Sequence, residues 1–209
     1  MTEYPALITA FTTLFVIIDP IGLAPLFVAL TRGMSPRQRR AVGLRACITA
    51  AVLLFVFAIF GEALLGFVGI SMPAFRIAGG VLLFLTALDM LFQKRQKRRE
   101  DNAEEGGHEH HDDPSVFPIA IPLIAGPGAI ASMILLTGQS QGIGGFAAVI
   151  GVMLAVLSIV FALFLASSWL ERALGKVGTD VVTRLLGMLL AALAIQFILD
   201  GLKAFGIAS

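Results

Sequence analysis

The chain has a single cysteine, Cys47, and it stands inside an apolar run. A lone thiol forms neither an intrachain disulfide nor a CxxC redox centre, so a membrane thiol–disulfide carrier is excluded on chemistry alone. Charge is scarce too: Asp, Glu, Lys and Arg make up 14% of the residues and the formal net charge is +1. That leaves no electrostatic footprint for a nucleic-acid partner. With 57% apolar residues and a mean hydropathy of +0.92, the chain lies outside the range of soluble domains. Short alternating apolar segments are missing as well, which rules out a transmembrane β-barrel. No Lys or Arg precedes the first apolar run and no small-residue cleavage site follows it, so this run is expected to remain as a span rather than leave as a signal peptide. No nucleotide-binding motif occurs, so ATP is not the expected energy source. Nor is any cofactor or enzymatic activity expected.

What is present is length of apolar sequence. Runs at 6–30, 42–68, 74–92, 116–137, 144–168 and 184–206 are each long enough to cross a ~30 Å hydrocarbon core as a helix. The expected fold is therefore all-α, a polytopic protein of six transmembrane helices with the lipid bilayer as its main partner. The boundary between the second and third spans is the faintest, marked only by Gly66, Gly69, Ser71 and Pro73. The one long polar stretch, 94–115, is basic, then acidic, with His108, His110 and His111. It divides the chain into three-span halves, 1–93 and 116–209. Its composition cannot bury a core, so it reads as a solvated linker, and no metal site is assigned to its histidines. Basic residues cluster after spans one, three and five, including Arg32, Arg37, Arg39, Arg40, Lys94 and Arg172. By the positive-inside bias both termini face away from the cytoplasm.

The first and fourth runs are each interrupted: Ile18 to Thr31 reads IDPIGLAPLFVALT and Ile124 to Thr137 reads IAGPGAIASMILLT. A break in mid-membrane strands backbone groups unless protein or a wet cavity takes them over, so two breaks in matching places predict a binding site. Two further pairs of segments match. Glu62–Gly69 resembles Glu171–Gly178, and the stretch from Arg76 resembles that from Arg184 with Gly79 opposite Gly187, all at offsets of 106 to 109 residues. Because each half has three spans, a duplication places the second half upside down, an inverted-topology repeat of the kind many transporters use. After each break the chain resumes as a half-helix whose free N–H groups carry partial positive charge, and the two N-termini are expected to face a common centre. Such ends suit a carboxylate, and Asp19 beside them suits an ammonium, so a small zwitterion satisfies both. The candidate substrate-binding residues are Asp19, Pro20, Gly22, Pro25, Gly126, Pro127 and Gly128. The plain alternative is that Asp19 only caps a half-helix that starts at Pro20, and that Pro25 and Pro127 only bend helices. Asp89, Gln196 and Asp200 are weaker pathway candidates, near span ends. GQSQG at Gly138–Gly142 spells a hydrolase pattern but follows a helix, not a strand.

The stretches DPxGxxPxF at Asp19–Phe27 and PLxAGPGAI at Pro122–Ile130 resemble those of MarC-type membrane proteins, the UPF0056 group, within the wider LysE-like transporter superfamily. The resemblance covers essentially the whole chain, although the His-rich linker is not a feature associated with the group. It implies a bacterial inner-membrane protein with both termini periplasmic and a transport function, with neutral amino acids as the substrate class. Metal-ion efflux and a non-transporting membrane scaffold are the competing readings. A homo-oligomer is compatible with either.

Overall fold

The computed structural model describes residues 3–92, 113–140 and 142–206, and the regular structure there is helical throughout. The elements are α1 (Glu3–Ile18), α2 (Pro20–Leu30), α3 (Pro36–Val68), α4 (Met72–Leu91), α5 (Ser115–Ile124), α6 (Pro127–Gly138), α7 (Gly142–Leu165) and α8 (Ser167–Ala204). Five stretches are long and apolar enough to cross a membrane: Ala6–Leu30, which joins α1 and α2, then α3, α4, α7 and the Val177–Ala204 part of α8. The pair α5 and α6, bent by 58°, has the form of a broken span or a re-entrant loop, and counting it as one span gives six. The His-rich tract and most of the polar linker lie outside the described residues.

Local signals fix the ends. Ser35 and Gln38 form a reciprocal capping box at the start of α3, with Pro36 in its first turn. The faint boundary is a tight turn: Gly69 closes α3 in the left-handed region, φ +81°, and Ser71 accepts the Ala74 N–H to open α4. The last span starts earlier than the apolar run at 184–206 predicts, because α8 is continuous from Ser167 apart from a break at Gly175, φ +59°.

The fourth run departs most from expectation. Its first half is not a regular helix: Phe117 and Ile121 are extended, each precedes a cis proline, and hydrogen bonds reach five residues back, from Ile119 N–H to Pro114 O and from Ala125 N–H to Ala120 O. Pro114, Pro118 and Pro122 recur every four residues and withhold the donors that an α-helical ladder needs.

The broken spans form the centre. Within Ala6–Leu30, 67% of the most apolar window is buried, against 17% in α3 and 28% in α4. Large apolar side chains such as Phe60, Phe67 and Ile143 are exposed on the outer helices, as a lipid-facing surface requires. Glycines bring α4 and α8 together backbone to backbone and antiparallel. A Cβ on Gly80 would lie 2.9 Å from Ala194 O, and one on Gly187 would lie 3.2 Å from Ala87 O. Close packing is thus the role of these glycines.

Candidate functional site

Asp19 joins α1 to α2 in the left-handed conformation, φ 57° and ψ 65°, and is 1% exposed. Short polar residues tolerate that region better than others. The break leaves the ladder nearly intact, since Asp19 N–H donates to Phe15 O and Leu23 N–H to Asp19 O. Asp19 Oδ1 accepts the Gly22 N–H at 3.1 Å, so the carboxylate caps the helix that begins at Pro20. A Cβ on Gly22 would press on that carboxylate, 2.8 Å from Cγ, which is why glycine stands there. The α2 N-terminus is thereby neutralised by its own residue. Pro25 is not at the break. It lies inside α2, partly buried, where it only withholds one helical donor.

The second break is built differently. Gly126 starts α6 with extended backbone and no side-chain cap, followed by Pro127 and Gly128. Gly128 packs against the end of α1: a Cβ there would lie 2.8 Å from Ile17 Cδ1. The two breaks therefore meet through Ile17 and Gly128. Pro127, however, is exposed at the surface of the bundle, so the α6 end is not enclosed in the same way as Asp19. Asp19, Pro20 and Gly22 stand together at the start of α2 and Gly126 and Gly128 at the start of α6, with Ile17 against Gly128 between them, while Pro25 lies within α2 and Pro127 at the surface.

A partly open cavity of about 530 Å³ lies between the breaks and the face that carries the chain termini. Its polar lining is Thr9 on α1, Gln139 and Ser140 after α6, and Gln196 and Asp200 on α8, while Ala10 and Leu136 are among its apolar lining. Gln196 Nε2 donates to Asp200 Oδ1 at 2.8 Å, and Ser140 Oγ to Thr137 O at 2.7 Å. Gln196 and Asp200 were legible as pathway candidates, whereas Thr9, Gln139 and Ser140 carry no sequence signal beyond their polarity near span ends.

The opposite end, where the linker attaches, is closed. Phe27 and Phe164 stack with ring centroids 4.2 Å apart and planes 3° from parallel, each 2% exposed. The Arg39 guanidinium sits 5.7 Å from the Phe27 ring centre and donates to Ser167 Oγ at 3.1 Å and Ser168 Oγ at 3.2 Å. Gly43 faces both rings; a Cβ there would stand 3.4 Å from Phe27 and 3.5 Å from Phe164. This seal joins α2 and α3 of the first half to α7 and α8 of the second. Arg45 and Asp113 pair at 2.7 Å nearby, but both are substantially exposed, where such pairs contribute little.

The family description for MarC family integral membrane proteins matches residues 4–205, a stretch that includes both breaks, the cavity and the seal. The chain belongs to the MarC family. The similar curated MarC-type proteins are called UPF0056 membrane proteins. One from Methanocaldococcus jannaschii is 36% identical over 94% of this chain and 95% of its own length. YvbG of Bacillus subtilis is 36% identical over 94% of each, and YhcE of Escherichia coli is 33% identical over 96% of this chain and 94% of its own. No solved structure matches the chain. Among the described residues no group of three or more His, Cys, Asp or Glu side chains is placed to hold a metal ion.

Proposed function

We propose that this MarC-family protein is a secondary transporter or exporter of small metabolites, with neutral amino acids as the favoured class, and that it works by alternating access between two inverted three-helix halves. One observation carries the reading: a largely apolar cavity with a few polar side chains, among them Gln196 and Asp200, reaches from one face towards the paired helix breaks while an aromatic and arginine seal closes the other face. A scaffold has no use for either.

The inverted repeat is supported by contacts that occur in matched pairs. Gly80 meets Ala194 O and Gly187 meets Ala87 O. Gly80 and Gly187 stand at the same offset as Ala87 and Ala194, so a twofold operation exchanges the two contacts. The equivalence favours Gly80, not Gly79, as the partner of Gly187. Thr31 and Thr137, which end the two interrupted stretches, each donate to the carbonyl four residues back, Phe27 O and Met133 O. On this reading Asp19 supplies the one negative charge of the site and the uncapped start of α6 its positive end, a pair that suits a zwitterion. The basic residues near the linker side support termini that face away from the cytoplasm, and the inner membrane with periplasmic termini is what the family resemblance implies.

The test is uptake by the purified chain in proteoliposomes, with a panel of labelled neutral amino acids and divalent metal ions. Accumulation of an amino acid above protein-free vesicles is expected. Accumulation of metal alone, or of nothing in the panel, would overturn the reading.

A further inference from the structure

Among the described residues four buried hydroxyls have no hydrogen-bond partner, those of Thr13, Ser115, Ser132 and Thr183, and two of them, on α1 and α6, stand at the same level of the bundle. Thr13 Oγ1 and Ser132 Oγ are wholly buried, each residue 0% exposed, and neither bonds to any protein group. Several other helical hydroxyls are satisfied within their own helix. Thr31, Thr86, Thr137 and Ser158 all donate to the carbonyl four residues back, the usual way to satisfy such a group in an apolar setting. Two buried hydroxyls without that bond carry an uncompensated desolvation cost unless something else pairs with them.

Their place follows from helix geometry. On α1, Ala10 lines the cavity and Ile17 touches Gly128; Thr13 is three residues from one and four from the other, on the same face. On α6, Leu136 lines the cavity and Gly128 touches Ile17; Ser132 is four residues from each. The two helices run in opposite directions, so Thr13 and Ser132 share the layer between the cavity floor and the breaks. Asp19 lies about 9 Å of helical rise beyond Thr13.

The geometry points to a binding step at Thr13 and Ser132, where the two hydroxyls take a hydrogen-bonding group of a small uncharged or zwitterionic solute on its way from the cavity to Asp19. This rests on the transport reading and adds a separate stop ahead of the acid. The chemistry disfavours a bare metal ion, because two hydroxyls fall far short of the six or more oxygens that a hard cation collects. Hydroxyls both donate and accept, so the layer sets no preference for charge.

The experiment uses a Cys47→Ala background, which removes the only thiol. Thr13→Cys, Ser132→Cys and, as a control, Leu14→Cys, which is also fully buried, are treated in proteoliposomes with 2-aminoethyl methanethiosulfonate, with and without glycine or alanine. Cysteines at 13 and 132 are expected to react about tenfold faster than at 14, and either amino acid should slow them at least threefold. Reaction no faster than at Leu14→Cys, or labelling that neither amino acid slows, overturns the proposal. Kinetics give a second reading: Thr13→Val should raise KM about tenfold, the loss of one hydrogen bond, while Thr13→Ser restores it. Equal KM for Val and Ser also overturns it. If wild-type chain transports while the thiols stay silent, the hydroxyl step alone fails. If nothing is transported yet glycine or alanine protects the thiols, the step stands and the transport reading fails.

Discussion

Replacing Asp19 by Asn separates the carboxylate's charge from its structural duty. Asn and Asp are equivalent helix caps, and both tolerate the left-handed region that φ 57° requires. Asp19→Asn therefore keeps the bond from Gly22 N–H, while the interaction of its charge with the α2 dipole, ~0.3–1 kcal/mol and at most ~2, is lost. Asp19→Ala loses the cap, ~0.5–2 kcal/mol, and holds a side chain with no local hydrogen bond in the left-handed region, a further ~1–2 kcal/mol. A transported ammonium that meets Asp19 in a site 1% exposed would, on losing its partner charge, forfeit ~3–5 kcal/mol, a hundredfold or more in affinity. The assay pairs thermal unfolding in detergent with counterflow of a labelled neutral amino acid in proteoliposomes. The Asn variant should melt within a few degrees of wild type yet show no counterflow, and the Ala variant should melt distinctly lower. Wild-type counterflow by Asp19→Asn would reduce Asp19 to a cap and refute the reasoning.

The seal and the helix contacts yield further expectations. Phe164→Leu removes a stacked pair worth ~0.5–1.5 kcal/mol, which shifts any opening equilibrium at the linker end by roughly 2- to 10-fold. In a Cys47→Ala background, labelling of Ser167→Cys, a buried position behind Arg39, should accelerate by that factor; an unchanged rate would show that the rings do not gate. Gly80→Ala drives a Cβ into the α8 backbone and should destabilise by ~1–3 kcal/mol, whereas Gly66→Ala meets nothing within 4 Å and should leave the melting temperature unchanged or higher. Equal losses from both would contradict the packing role assigned to Gly80.

The apolar spans and the two breaks were legible because each has a local cause: an apolar run, or proline and glycine in mid-run. Asp19 as cap was legible for the same reason, since Asp followed by Pro is a helix-start signal. The form of α5 was not, because hydropathy sees its apolar residues while Pro114, Pro118 and Pro122 act through the donors they lack. The exposure of Pro127 and the distance of Pro25 from the break depend on packing between elements, which no local pattern encodes. The Phe27–Phe164 seal joins residues far apart in sequence, and two phenylalanines among many in apolar runs give no sign of meeting. Thr13 and Ser132 were invisible for a related reason: a hydroxyl in a helix is ordinary until its missing partner is known.

Alternating access is tested most directly by distances across the two ends of the bundle. Spin labels at the exposed positions Ile8 and Ile143 span the cavity mouth, and labels at Arg37 and Trp169 span the sealed end. Double electron–electron resonance in lipid should give two populations at each end, with a transported amino acid shifting their balance so that one distance shortens as the other lengthens. A single fixed distance at both ends, with and without amino acid, would contradict the account.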